Sequence, residues 1–152
     1  MKTYGLIGKN LSHSFSHKYF QKKFYKEQLS DCQYLNFEIK DISSLRELVQ
    51  GNNIKGLNIT IPFKEKVIPF LDKLSKNAAE IGAVNTIEIK GEKLIGHNTD
   101  FSGFAQSFIP LLKERKNALI LGNGGASKCV QFVLKRNNID FIVASRNSDF
   151  TL

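Results

Sequence analysis

The chain has 152 residues, 41% hydrophobic and 24% charged, with a formal net charge of +8 and a pI near 9.5. That is enough chain to bury a core in one or two small domains; no apolar run is long enough to span a bilayer, and MKTYGLIGKN is too weakly apolar for a signal peptide, so the cytoplasm is the expected compartment. The basic balance favours an anionic partner, but scattered lysines without a base-stacking motif speak against nucleic acid and for a small phosphate- or carboxylate-bearing molecule.

Taken in chain order, Tyr4–Gly8 is a short apolar run ending in glycine, the form of a buried strand. Residues 14–28 place Phe15, Tyr19, Phe20 and Phe24 at helical spacing. Ahead of them SHSFSH puts His13 and His17 around Ser14 and Ser16. The histidines have the i,i+4 spacing of a helical metal pair, but the glutamate of HExxH and a third ligand are absent, so no metal site is expected. Ser14 suits a helix cap or an anion at the same helix end. Cys32 and Cys129 are far apart with no CxxC spacing and read as ordinary thiols.

A strand is predicted over 32–39 and a helix over 41–49 behind cap-like Asp41 and Ser43. In GLNITIPFKEK, Leu57, Ile59 and Ile61 share one strand face and Asn58 and Thr60 the other, with Pro62 ending the strand. Lys64 opens a helical stretch carrying Val67, Ile68 and Leu71, and 75–82 reads as a short helix ended by Gly82. Residues 83–89 and 94–97 pair as a hairpin across Lys90-Gly91-Glu92-Lys93. Residues 101–115 form an amphipathic helix that Pro110 is expected to kink or split.

Residues 118–121 run into GNGGASK, then a helix to about Arg136 and a strand over 141–144, which makes one βαβ unit. Gly122 permits the tight turn, Gly124 lets backbone approach a pyrophosphate, and the helix start offers unpaired N–H groups. Ser127 stands where the generic fingerprint expects glycine or alanine. After the second strand comes Ser145-Arg146 in place of an acidic residue, which favours the 2′-phosphate of NADP over NAD.

Five stretches, SHSFS (12–16), NITIPFK (58–64), GAVNT (82–86), HNTD (97–100) and GNGGASK (122–128), together resemble the shikimate dehydrogenase family. The resemblance implies an α/β architecture: a mixed-sheet substrate domain over 1–101, a linking helix over 102–116, and an incomplete Rossmann-type parallel unit over 117–152. It implies reversible reduction of 3-dehydroshikimate to shikimate with NADP, on the route to aromatic amino acids. Carried over residue by residue, Ser14 and Ser16 meet the substrate carboxylate, while Thr60, Asn85 and Asp100 meet ring hydroxyls. Lys64 is the catalytic lysine, paired with Asp100. Gly122, Asn123, Gly124, Gly125 and Ala126 form the pyrophosphate loop, and Ser145 and Arg146 meet the 2′-phosphate. His13 is then expected to be structural.

The chain departs from the pattern at Asn147 and Phe150, where the family has a threonine and a further basic residue; this keeps NAD, and a quinate/shikimate dehydrogenase preferring NAD, as an alternative. The sequence stops at Leu152, after the second strand of the βαβ unit, so a fragment of a longer enzyme or a truncated product is expected. A catalytically silent module that holds the hydroxylated acid is the alternative from another class. An open sheet edge in this remnant also invites aggregation or pairing with another chain, as in a homodimer.

Overall fold

The computed structural model describes residues 1–146. The chain runs β1 (Lys2–Gly8), α1 (Ser16–Lys26), β2 (Cys32–Glu38), a 3-10 turn (Ile42–Ser44), α2 (Leu45–Gly51) and β3 (Ile54–Ile59). Then follow α3 (Phe63–Lys66), a second 3-10 turn (Ile68–Phe70), β4 (Lys73–Leu74), α4 (Lys76–Ile81), β5 (Thr86–Lys90) and β6 (Lys93–His97). Helix α5 (Asp100–Leu112) leads to β7 (Asn117–Leu121), α6 (Gly125–Arg136) and β8 (Asp140–Ala144).

The first six strands form one mixed sheet in the order β2-β1-β3-β5-β6-β4. Strand β1 is parallel to both β2 and β3, β5 is antiparallel to β3 and β6, and β4 is parallel to β6. Parallel strands covered on both faces read as continuous apolar runs, which is why YGLIG lacks polar alternation. Leu6 and Tyr34 face α1, where Phe20 and Phe24 pack on them. Ile7, Leu57, Ile59 and Ile87 join Ile42, Leu45, Phe63 and Val67 in the largest apolar cluster. Of the helical-spacing aromatics, Phe15 and Tyr19 stay exposed, so α1 covers the sheet with Phe20 and Phe24.

Local chemistry sets some element ends. Ser75 accepts a hydrogen bond from the Ala78 N–H at 3.3 Å and starts α4, and Gly82 ends it at φ +70°. The strand expected to reach Ile61 stops at Ile59. The Phe63 N–H donates to the Thr60 carbonyl at 2.9 Å, turning the chain there and leaving Ile61 exposed. Helix α5 is not split at Pro110. Proline removes a single intrahelical donor, and here it falls in the last turn. Strand β4, two residues long, has no local signal and exists through its pairing with Ile95 and Gly96.

Strands β7 and β8 form a separate parallel pair connected by α6, with Ile120, Leu134 and Ile139 at its core and Phe108 and Leu112 of α5 against it. The α6 helix also packs on the first sheet's surroundings: Cys129, Phe132 and Val133 meet Ile81 and Ala83, with Phe101, Phe104 and Ile109 of α5 beside them. Two ion pairs cross the same junction, Glu65 with Lys128 and Glu80 with Arg136 at 3.0 Å. Among the described residues no helix is long and apolar enough to cross a membrane.

Ile87 is fully buried on β5 between Leu57 and Gly96. Ile87→Ala is expected to cost about 2–5 kcal/mol of stability through lost transfer energy and a residual cavity, read as a lower urea midpoint at an unchanged m-value.

Candidate active site

The site lies where the first sheet's strands end beneath α5 and α6. Asn85, just ahead of β5, is 8% exposed. Its backbone is fixed from both sides: Ile59 N–H donates to its carbonyl at 2.7 Å and its own N–H donates to the His97 carbonyl at 3.0 Å. The side-chain amide is fixed as well. Its Oδ1 accepts from the Thr99 N–H at 2.8 Å, and Nδ2 donates to Thr99 Oγ1 at 2.9 Å and to Asp100 Oδ1 at 2.7 Å.

Asp100 is the first residue of α5, where the helix dipole favours a carboxylate. Its second oxygen accepts from Lys64 Nζ at 2.7 Å. The lysine side chain is 17% exposed and the aspartate 37%. A pair so placed loses part of its hydration, and removing one partner leaves the other poorly compensated. Lys64 is itself held by α3, where its carbonyl accepts from the Val84 N–H at 2.7 Å.

This pair forms one end of a cleft of about 450 Å3 that Ser14, Ser16, Asn58, Thr60 and Asn85 also line. Ser14 Oγ accepts from the Ser16 N–H at 3.2 Å, so it shapes the chain entering α1 and leaves its own proton to donate. Expected to be structural, His13 is an exposed residue of the cleft wall. A larger groove of about 650 Å3 between α1 and β2, with His17 on its wall, carries none of the sequence-predicted site residues.

Thr60 and Lys64 also line an adjoining cavity of about 460 Å3, bounded on its far side by Gly122, Gly124, Gly125 and Ala126. Gly122 has φ +110°, a conformation that favours glycine, and its N–H donates to the Ala144 carbonyl at 2.7 Å. Helix α6 begins after Gly124 with no side-chain cap, so its first N–H groups point outward. A Cβ on Gly124 would meet no atom within 4 Å, while one on Gly125 would lie 2.9 Å from Lys64 Cβ and 3.3 Å from Ala83 Cβ. The two glycines therefore do different things: Gly124 keeps backbone open, and Gly125 lets α6 press on the lysine. Farther out, Gly122, Asn123, Ala144, Ser145 and Arg146 line a hollow of about 790 Å3. The sequence-predicted positions thus fall along adjoining cavities; Asn147 and Phe150 lie outside the described residues.

Sequence reasoning left Asn58 as an ordinary polar strand residue and passed over Thr86 and Thr99. Asn58 Nδ2 donates to Thr86 Oγ1 at 3.4 Å, and Thr86 Oγ1 donates to Asn85 Oδ1 at 3.1 Å. Period-2 alternation puts Asn58 and Thr60 on one face, but which strands become neighbours is a property of the sheet order.

A family model described as the shikimate dehydrogenase substrate binding domain matches residues 6–87, just over half of the chain. The chain belongs to the shikimate dehydrogenase family. It is 40% identical to the shikimate dehydrogenase (NADP(+)) of Clostridium botulinum over 154 aligned positions, covering 98% of this chain and 59% of that protein. Its structure matches that of shikimate dehydrogenase 1 from Peptoclostridium difficile at a TM-score of 0.89 and 37% identity, over 97% of this chain and 58% of that one. The shikimate 5-dehydrogenase of Thermus thermophilus, solved in complex with shikimate, matches at a TM-score of 0.80 and 28% identity, over 97% and 57% of the two chains. The chain thus spans about 59% of the length of the curated relative it matches.

Two outcomes follow for this member of the family. Gly125→Ala is expected to lose about 1–3 kcal/mol in urea unfolding, because the new methyl meets Lys64 and Ala83, whereas Gly124→Ala changes stability by about 0.5 kcal/mol. Cys129, buried beneath the ion pair, has its thiol pushed up to about 11, first by burial and then by the Asp100 charge. The native state thus keeps a proton that an unfolded thiol releases near 8.5, so stability falls as pH rises from about 9 to 11. At pH 8 iodoacetamide should leave Cys129 unlabelled in the native protein and label it in urea, read by peptide mass spectrometry.

Proposed function

We propose that this protein is an NADP-dependent shikimate dehydrogenase, interconverting 3-dehydroshikimate and shikimate on the route to aromatic amino acids. The observation that carries this reading is the Lys64–Asp100 pair, which stands where the polar cleft opens onto the glycine loop. In this reading residues 1–101 form the substrate domain, 102–116 the link and 117–152 the cofactor-binding unit.

The roles follow from donor and acceptor chemistry. Ser14 and Ser16 donate hydroxyl protons to the substrate carboxylate at the α1 end of the cleft. Thr60, Asn85 and Asp100 meet the ring hydroxyls; a site that pairs each hydroxyl rejects analogues that lack one, because its own polar groups are then stranded. Lys64 gives a proton to the carbonyl oxygen during reduction and takes it back during oxidation. Asp100, held by two donors, fixes the ammonium against that oxygen.

The far cavities fit a dinucleotide. The open Gly124 backbone and uncapped α6 suit a pyrophosphate at Gly122, Asn123, Gly124, Gly125 and Ala126, and Arg146, with Ser145 beside it, supplies a fork for a 2′-phosphate. When bound, the nicotinamide supplies the hydride for the substrate carbon. This reading places the protein in the cytoplasm. The outer edge of β2, at one end of the six-strand order, is where we would place a homodimer contact.

Calorimetry with shikimate tests the site and NADPH formation tests the chemistry. Saturable binding is expected, weakened about tenfold in Thr60→Ala, with turnover about 10²–10⁴-fold lower in Lys64→Ala. Absence of shikimate binding by the parent protein rejects the reading; binding with equal turnover in Lys64→Ala rejects the role of the lysine.

A further inference from the structure

The loop that carries the serines leaves β1 at Gly8 and enters α1 at Ser16, and the one buried residue between them is Leu11. Its side chain sits over bare backbone: a Cβ on Gly8 would stand 2.5 Å from Leu11 Cδ2 and 2.8 Å from the Thr60 methyl. The Leu11 main chain is used in both directions. Its carbonyl accepts from the Ser14 N–H at 2.9 Å, and its N–H donates to Glu38 Oε1 at 2.7 Å. Ser14 Oγ in turn accepts from the Ser16 N–H at 3.2 Å. None of these bonds uses the hydroxyl proton of Ser14 or Ser16.

Glu38 ends β2 and is the register partner of Gly8, whose carbonyl accepts from the Ile39 N–H at 3.1 Å. The sheet therefore fixes the base of the glutamate beside the start of the loop. From there its carboxylate reaches across to the Leu11 peptide, 27 positions away in sequence. A second bond from the loop, Lys9 N–H to the Ile61 carbonyl, is longer at 3.4 Å. The bond to Glu38 is also charge-assisted, which makes it roughly twice as strong as one between neutral groups. Glu38 lies outside the five stretches that carry the family resemblance and does not line the cleft.

We propose that Glu38 is a positioning residue of the cleft: by holding the Leu11 peptide, its carboxylate sets where Ser14 and Ser16 stand at the end that takes the substrate carboxylate. The inference rests on the reading of the cleft as a shikimate site. Removing the carboxylate strands the N–H of a buried residue, frees the Leu11 peptide to turn, and takes from the Ser14 N–H an acceptor of fixed direction. Lys64, Asn85 and Asp100 are held by other elements and keep their bonds, so the loss falls on the carboxylate of the ligand. Loss of a negative charge would by itself favour an anionic ligand, so the two effects have opposite signs.

The test compares shikimate and its methyl ester by calorimetry on the parent, Glu38→Ala and Glu38→Gln, with thermal melts to establish folding. Glu38 is exposed, so neither change removes core packing. In Glu38→Ala the Kd for shikimate is expected to rise about 3- to 10-fold and that for the ester about twofold or less. Glu38→Gln keeps an oxygen within reach of the Leu11 N–H and is expected to recover most of the loss. An unchanged or lowered shikimate Kd in Glu38→Ala overturns the proposal, as does an equal loss for both ligands, the mark of general loosening. A glutamine variant as weak as the alanine one also overturns it, because charge and not the hydrogen bond would then be at work. If the parent binds no shikimate, the reading of the cleft fails and the inference with it; parental binding with an indifferent Glu38→Ala sinks the inference alone. Should Glu38→Ala not fold, Glu38→Asp, which draws the carboxylate back by one methylene, decides by the same comparison of the two ligands.

Discussion

The carboxylate of Asp100 is the constraint on which the site turns. Both oxygens are taken, one by Asn85 and one by Lys64, and the group stands at the start of α5 where the helix dipole also favours it. A carboxylate with a single partner would swing; one with two donors and a helix end has one position. Lys64 inherits that position, since a flexible four-carbon stem is ordered only as well as the group that receives its ammonium. The geometry of the cleft thus passes from the sheet to Asn85, from Asn85 to Asp100, and from Asp100 to the lysine.

Asn85 can hold this post because it stands between strands. Its main chain bridges the end of β3 and the end of β6, so the amide is anchored to two neighbouring strands before its side chain makes any bond. The apolar cluster below, with Ile87 and Leu57 fully or nearly buried, keeps those strands in register. A shift of one residue would turn Asn58 and Thr86 to the wrong face and break the bonds from Asn58 to Thr86 and from Thr86 to Asn85. Packing energy in the core is in this sense converted into placement of polar atoms at the sheet's end.

Much of this was legible in residue order, and the limits have physical causes. Ser75 and Gly82 announced a short helix because caps are local chemistry, and Gly122 announced a turn because positive φ is a local demand. Lys64 and Asp100 were paired through the family resemblance; their separation of 36 positions carries no local signal. The hydrogen bond from the Tyr34 hydroxyl to Asn58 Oδ1 was invisible, since a tyrosine in an apolar strand reads as core and its partner depends on which strand lies two places away in the sheet. Ile61 was misplaced because alternation was extended through a residue where the chain had already turned.

The unequal surroundings of two adjacent glycines bear on how the glycine loop can be redesigned. Space around Gly124 is open and Asn123 is exposed, so under the proposed function side chains introduced there would meet a bound dinucleotide before they met the protein. Gly125 has no such latitude: any side chain there is read first by Lys64 and Ala83. An engineer who wishes to alter the loop therefore has room on the outer side of the turn. On its inner side, every added atom is also an edit to the position of the lysine.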